Sequence, residues 1–148
     1  MPESDWLPMR TLGHYVSRVA RGLARIGDRR LAALGFATAQ LPVLSALRDG
    51  EKRSQAELMR WAKVEQPTMT QLIARMERDG LVRREPDPAD KRSNLISLTE
   101  TALENLPAGR AVLRQGNAEA LRGFTDDEVA TLLGLLERVL VNVEAMEG

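Results

Sequence analysis

The sequence predicts a mainly α chain carrying one small β-hairpin, an α+β fold. Three observations lead there. Apolar residues make up 43% of the 148 residues but aromatic ones only 3%, so the core is built from Leu, Val, Ala, Ile and Met. Apolar residues recur at helical spacings of three and four through most of the chain. Strand-like alternation is confined to residues 81–98, split by the turn-rich Pro86-Asp87-Pro88-Ala89-Asp90.

The elements follow in order. Leu12, Val16, Val19, Leu23 and Ile26 lie on one stripe of a helix predicted over 9–34, with Gly35 as its stop. A second helix fits Thr38 to Leu47 and ends at Asp49-Gly50. Ser54-Gln55-Ala56-Glu57 reads as a capping box opening a short helix through Leu58 and Met59 to Trp61. After a tight turn at Ala62 to Val64, a helix opens at Glu65 or Gln66. Pro67 sits in its first turn, where a missing N–H costs nothing, and the helix runs to Asp79 with Gly80 as its left-handed cap. Leu81 to Glu85 and Asn94 to Leu98 are the strands, and 86–90 the tip. A helix over 100–122, kinked or restarted at Pro107, comes next. The last helix opens on a second capping box, Thr125-Asp126-Asp127-Glu128, and carries Val129, Leu132, Leu133, Leu136, Val139, Leu140 and Val143.

The central order, helix, short helix, turn, helix, strand, tip, strand, is that of a winged helix-turn-helix, placed at 36–99. The flanking helices, 1–35 and 100–148, keep long apolar faces. They either fold back on the winged domain or form a helical dimerisation region. Their stripes exceed what a small winged domain covers, so a homodimer is expected.

Composition narrows the function. With no cysteine there is no disulfide, thiolate zinc site, cysteine nucleophile or thiol redox sensor, which fits a reducing cytoplasm. The opening MPESDWLPMR lacks the basic and apolar pattern of a leader, and no apolar run approaches the ~20 residues of a membrane span. There is no Gly-rich phosphate loop, a single histidine, no metal-ligand cluster and no nucleophile–base pair at useful spacing. An enzyme, a metal and a cofactor are therefore not expected. Asp126-Asp127-Glu128 sits at a helix start, where acids favour the dipole. The net charge is zero but unevenly spread: +3 over residues 1–50, +2 over 51–99 and −5 over 100–148.

DNA chemistry concentrates in two places. On the helix from Glu65, Met69, Leu72, Ile73 and Met76 form the inner face. Pro67, Thr70, Gln71, Ala74, Arg75 and Arg78 face outward, with Gln66 and Thr68 at the tip. Gln pairs with adenine, Arg with guanine, and Thr offers hydroxyl or methyl contacts in a major groove. The same residues also suit an ordinary solvated face; the neighbouring short helix and hairpin favour readout. In the wing, Lys91 and Arg92 are the cations. An Arg at a hairpin tip suits a minor groove, and Asp90 is placed to hold its guanidinium. Arg53, Arg83 and Arg84 are candidate phosphate contacts, or plain surface charge.

Residues 54–99, SQAELMRWAKVEQPTMTQLIARMERDGLVRREPDPADKRSNLISLT, resemble the winged helix of the MarR family. VEQPTMTQLIARMERDGLV is similar to its SlyA-type recognition helix, and Asp87-Pro88-Ala89-Asp90-Lys91-Arg92 to its wing. The terminal helices match in order and length. The resemblance implies an obligate homodimer that binds double-stranded DNA at a palindromic operator, as a transcriptional repressor. Gln66, Pro67, Thr68, Thr70, Gln71 and Arg75 would enter the major groove, and Arg92 the minor groove, supported by Asp90. It also implies release by a small aromatic or phenolic acid. The family's cysteine-based peroxide sensing does not transfer to a chain without cysteine. A ligand pocket lined by the first, second and post-wing helices would draw on His14, Tyr15 and Arg18, which equally suit ordinary packing. The rival reading is a winged helix that binds protein and has no specific DNA readout.

Overall fold

The computed structural model describes residues 8–148; the opening stretch read above for a leader begins outside them. Helix α1 spans Leu12–Leu31. Its N-cap is Thr11, whose hydroxyl accepts from the His14 N–H at 3.2 Å. A short 3₁₀ turn, Ala32–Leu34, carries it on to Gly35 at φ 78°. There the Gly35 and Phe36 N–H groups bond Ala32 O and Leu31 O and close the end. The second helical pattern divides into a 3₁₀ turn, Thr38–Gln40, and helix α2, Leu41–Ala46.

Strand β1 is only Arg53–Ser54, helix α3 is Gln55–Ala62 and helix α4 is Gln66–Arg78. Strands β2, Val82–Asp87, and β3, Asp90–Leu98, complete an antiparallel sheet of order β1-β3-β2. The register pairs Arg53 with Ile96, Ser54 with Leu95, and Val82 with Leu98. Helix α5 is Glu100–Ala120 and helix α6 is Asp126–Met146. Both expected capping boxes form, at Ser54/Glu57 and Thr125/Glu128.

Three expectations change. The two-residue β1 is an addition: Ser54 caps α3 and also pairs with the wing. The strands reach further than expected, leaving Pro88-Ala89 as the turn. Pro86 is tolerated in β2 because that strand lies at the sheet edge, where its missing N–H breaks no ladder on the open side. Helix α5 neither stops nor restarts at Pro107; the proline lies on its exposed side and the helix continues.

The chain divides into two compact units, one up to Leu113 and one from Arg114 to Gly148. The core of the first gathers Leu31, Phe36, Val43, Leu44 and Leu47 with Leu58, Met69, Ile73 and Met76, and then Val82, Ile96 and Leu98. Ala102 and Leu106 of α5 join it, so this unit extends past the sequence-drawn boundary at Thr99. Along the 20 residues of α1 only Leu31 is buried. The stripe of Leu12, Val16, Val19, Leu23 and Ile26 is exposed, Val19 at 58%. In the second unit α6 buries no residue, and Leu133, Leu136 and Leu140 are exposed, the last at 55%.

Candidate nucleic-acid interface

The site is built on α3, the turn and α4. Lys63 adopts the left-handed conformation (φ 53°, ψ 45°) that turns the chain sharply between the helices, and Val64 N–H closes on Met59 O at 3.2 Å. Met69, Ile73 and Met76 are fully buried and Leu72 half-buried, so this face anchors α4 in the core. Rotation at 100° per residue then leaves Gln66, Pro67, Thr68, Thr70, Gln71, Arg75 and Arg78 outside, and all seven are exposed. At the far end Gly80, at φ 76°, lets the Gly80 and Leu81 N–H groups bond Glu77 O and Met76 O. The Thr99 hydroxyl donates to Gly80 O at 2.7 Å, tying the end of α4 to the start of α5.

The wing stands beside this helix. Lys91 and Arg92 are exposed. Asp90 was expected to hold the Arg92 guanidinium, but its Oδ1 accepts from the Arg92 backbone N–H at 3.0 Å. Asp87 does the same for Ala89 at 2.9 Å. Both acids shape the turn, the ordinary work of Asp in tight loops, which accounts for carboxylates at a basic tip.

The three candidate phosphate contacts differ. The Arg53 side chain is only 26% exposed. It donates to Ala46 O at 3.0 Å, pairs with Glu51 at 2.5 Å and Glu57 at 3.7 Å, and lies 5.4 Å from the Trp61 ring. These intramolecular partners compete with a phosphate for the Arg53 guanidinium. Arg84 pairs with Glu77 at 3.3 Å, bracing β2 against α4. It also lines a cleft of ≈ 380 Å³ with Gln55, Gln66 and Arg92, between the two helices and the wing. Arg83, on the opposite face of β2, is exposed.

A MarR family profile matches residues 34–93. The transcriptional activatory protein BadR of Rhodopseudomonas palustris is 32% identical over 132 residues, which cover 86% of this chain and 75% of BadR. The chain belongs to the MarR family. Its family relatives include the HTH-type transcriptional repressor IacR of Pseudomonas putida, 28% identical over 90% of this chain and 80% of IacR. A crystal structure of a MarR mutant from E. coli complexed with operator DNA superposes with a TM-score of 0.79 at 29% identity, covering 90% of this chain and 94% of that one. Like these family members, the chain is a winged helix-turn-helix transcription regulator.

A second cavity, ≈ 190 Å³, lies in the first unit between α2 and the first part of α5. Phe36, Leu41, Leu44, Leu106 and Leu113 line it with Arg48 and Arg110. Gly109 permits this packing: a Cβ there would stand 3.2 Å from the Phe36 ring. None of the expected ligand residues lines it. Tyr15 is exposed beside the α1 stripe, its ring set edge-on to His14 at 5.8 Å, and Arg18 is exposed further along α1. Among the described residues no helix is long and apolar enough to cross a membrane, and no cluster of three metal-binding side chains forms.

Sequence reasoning missed Gln55, which joins the two helices of the motif by donating to the Thr70 hydroxyl at 2.7 Å. It also missed the Arg48–Trp61–Arg53 stack and the α2–α5 cavity. Gln55 had one visible signal, its place as the first residue after the capping Ser54.

Proposed function

We propose that this chain is a homodimeric repressor that acts by binding a palindromic DNA operator and carries out no catalysis. One observation carries the reading: an exposed polar face of α4, with Gln66, Thr70, Gln71 and Arg75, stands beside a wing that presents Lys91 and Arg92. The exposed α1 and α6 stripes support the dimer, because long apolar helical faces in water are unstable without a partner. Two copies related by a twofold axis would present α4 to half-sites about 34 Å apart. Residues 1–35 and 100–148 are the proposed dimerisation region, and 36–99 the DNA-binding one.

The α2–α5 cavity supports an effector as well. Its apolar lining beside Arg48 and Arg110 suits a small aromatic acid, in preference to a site at His14, Tyr15 and Arg18. A ligand preferring a dimer with mis-spaced α4 helices would lower operator affinity by its differential binding energy. The test is selection of genomic fragments on the purified protein, with Arg92→Ala in parallel. Recovery of a common inverted repeat that Arg92→Ala fails to enrich is the expected result. Recovery of no shared sequence would favour a winged helix that serves a protein partner.

A further inference from the structure

We infer that Gln55 is a positioning residue for DNA readout: it sets the polarity of the Thr70 hydroxyl, so that Thr70 faces the major groove as a hydrogen-bond donor. The inference rests on the DNA-binding reading above. A threonine hydroxyl carries one donor hydrogen and two acceptor lone pairs, and on an open helix face it rotates to suit its partner. Here it is not left to rotate freely. The Gln55 amide Nε2 donates to Thr70 Oγ1 at 2.7 Å, which occupies one lone pair and turns the hydroxyl hydrogen away from Gln55. Thr70 is exposed and Gln55 half-buried, on the side of the motif that presents the readout face.

The donor is itself held in place. Ser54 pairs with Leu95 in the sheet, and its hydroxyl accepts from Glu57 N–H at 3.2 Å. The Glu57 carboxylate accepts in return from Ser54 N–H at 3.3 Å. Gln55, the first residue of α3, is thus anchored by the wing on one side and the helix cap on the other. Thr70 is anchored by its neighbour Met69, which is fully buried. Two pinned backbones joined by a short hydrogen bond present a preset donor, with less rotamer freedom to lose on binding. In the groove such a donor selects the acceptors N7 and O6 of guanine, N7 of adenine or O4 of thymine, and rejects the amino groups of adenine and cytosine.

The test uses the full chain and a duplex selected from a random pool by the wild-type protein, beside a scrambled duplex. Gln55→Ala removes the preset. Gln55→Glu reverses it, since an ionised carboxylate only accepts, so the Thr70 hydrogen turns inward. Each change is also made on a Thr70→Val background, where the added negative charge of Gln55→Glu still acts on DNA but no hydroxyl remains to orient. Melting temperature is measured for every variant. The expected result is that Gln55→Glu weakens selected-duplex binding by roughly tenfold more with Thr70 present than on the Thr70→Val background, with melting temperatures unchanged. Equal losses on the two backgrounds would overturn the inference. So would wild-type affinity in Gln55→Glu, which would mean that Thr70 donates to residue 55. If the wild-type protein enriches no duplex at all, the DNA-binding reading fails and takes this one with it; enrichment without coupling overturns this one alone.

Discussion

Replacing Val19 by Glu should split the dimer and leave the winged core intact. Val19 sits mid-stripe on α1 and is 58% exposed in the single chain, so it contributes little to the protomer's own core. Burying the rest of a valine side chain is worth about half of the ~1.5–3 kcal/mol for full burial, roughly 1 kcal/mol. A twofold interface counts each change twice. The glutamate adds a penalty of several kcal/mol per ion if it is drawn into an apolar contact. Together these exceed about 4 kcal/mol, a thousandfold or more in the dimer dissociation constant. Arg21→Glu, about 200° away around the same helix, is the control. Sedimentation velocity over a concentration series reads the outcome: wild type and Arg21→Glu as dimers, Val19→Glu as a monomer. A Val19→Glu dimer as tight as wild type would refute the assignment of this stripe to the interface.

Three more predictions follow. Ile73→Ala, at a fully buried position that anchors α4, should cost about 2–5 kcal/mol in urea unfolding, because the rigid surroundings fill the lost volume only in part. Arg92→Ala should weaken operator binding by roughly tenfold or more and lower the slope of log affinity against log salt by about one per copy; an anisotropy series in salt measures both. Asp28 accepts from the Thr38 N–H at 2.7 Å, and that bond, with the Thr38 side chain, holds its carboxyl below the ordinary aspartate value. A depressed folded-state pKa stabilises the protein above the unfolded-state value and loses that contribution as pH falls through the folded one. The stability gap between wild type and Asp28→Asn should therefore be constant near neutrality and close below about pH 4, as followed by thermal melts across acidic buffers.

Much of the fold was legible because its signals are local. Ser54/Glu57 and Thr125/Glu128 mark helix starts within four residues of chain, Gly35 and Gly80 mark ends, and the apolar period of α4 separates Met69, Ile73 and Met76 from Thr70, Gln71 and Arg75. The signals that were missed are non-local or too short. A two-residue strand such as Arg53–Ser54 has no period to read, and its existence depends on Leu95 and Ile96 some forty positions away. The Gln55–Thr70 bond and the α2–α5 cavity arise only once separate elements pack. For Asp90, spacing alone does not choose between the backbone N–H and the guanidinium of Arg92 as partner, and the structure gives the backbone N–H to one carboxylate oxygen. The backbone partner is held in place by the turn, whereas the guanidinium partner would have to give up rotamer freedom.

The central claim, sequence-specific DNA binding through α4 and the wing, is tested most directly by fluorescence anisotropy. The titration uses DNA from the region upstream of the protein's own gene and a scrambled duplex of equal length, each at two salt concentrations. The account predicts tight binding to the upstream duplex, at least about a thousandfold weaker binding to the scrambled one, and a steep loss of affinity at the higher salt. Equal, weak binding to both duplexes would contradict it.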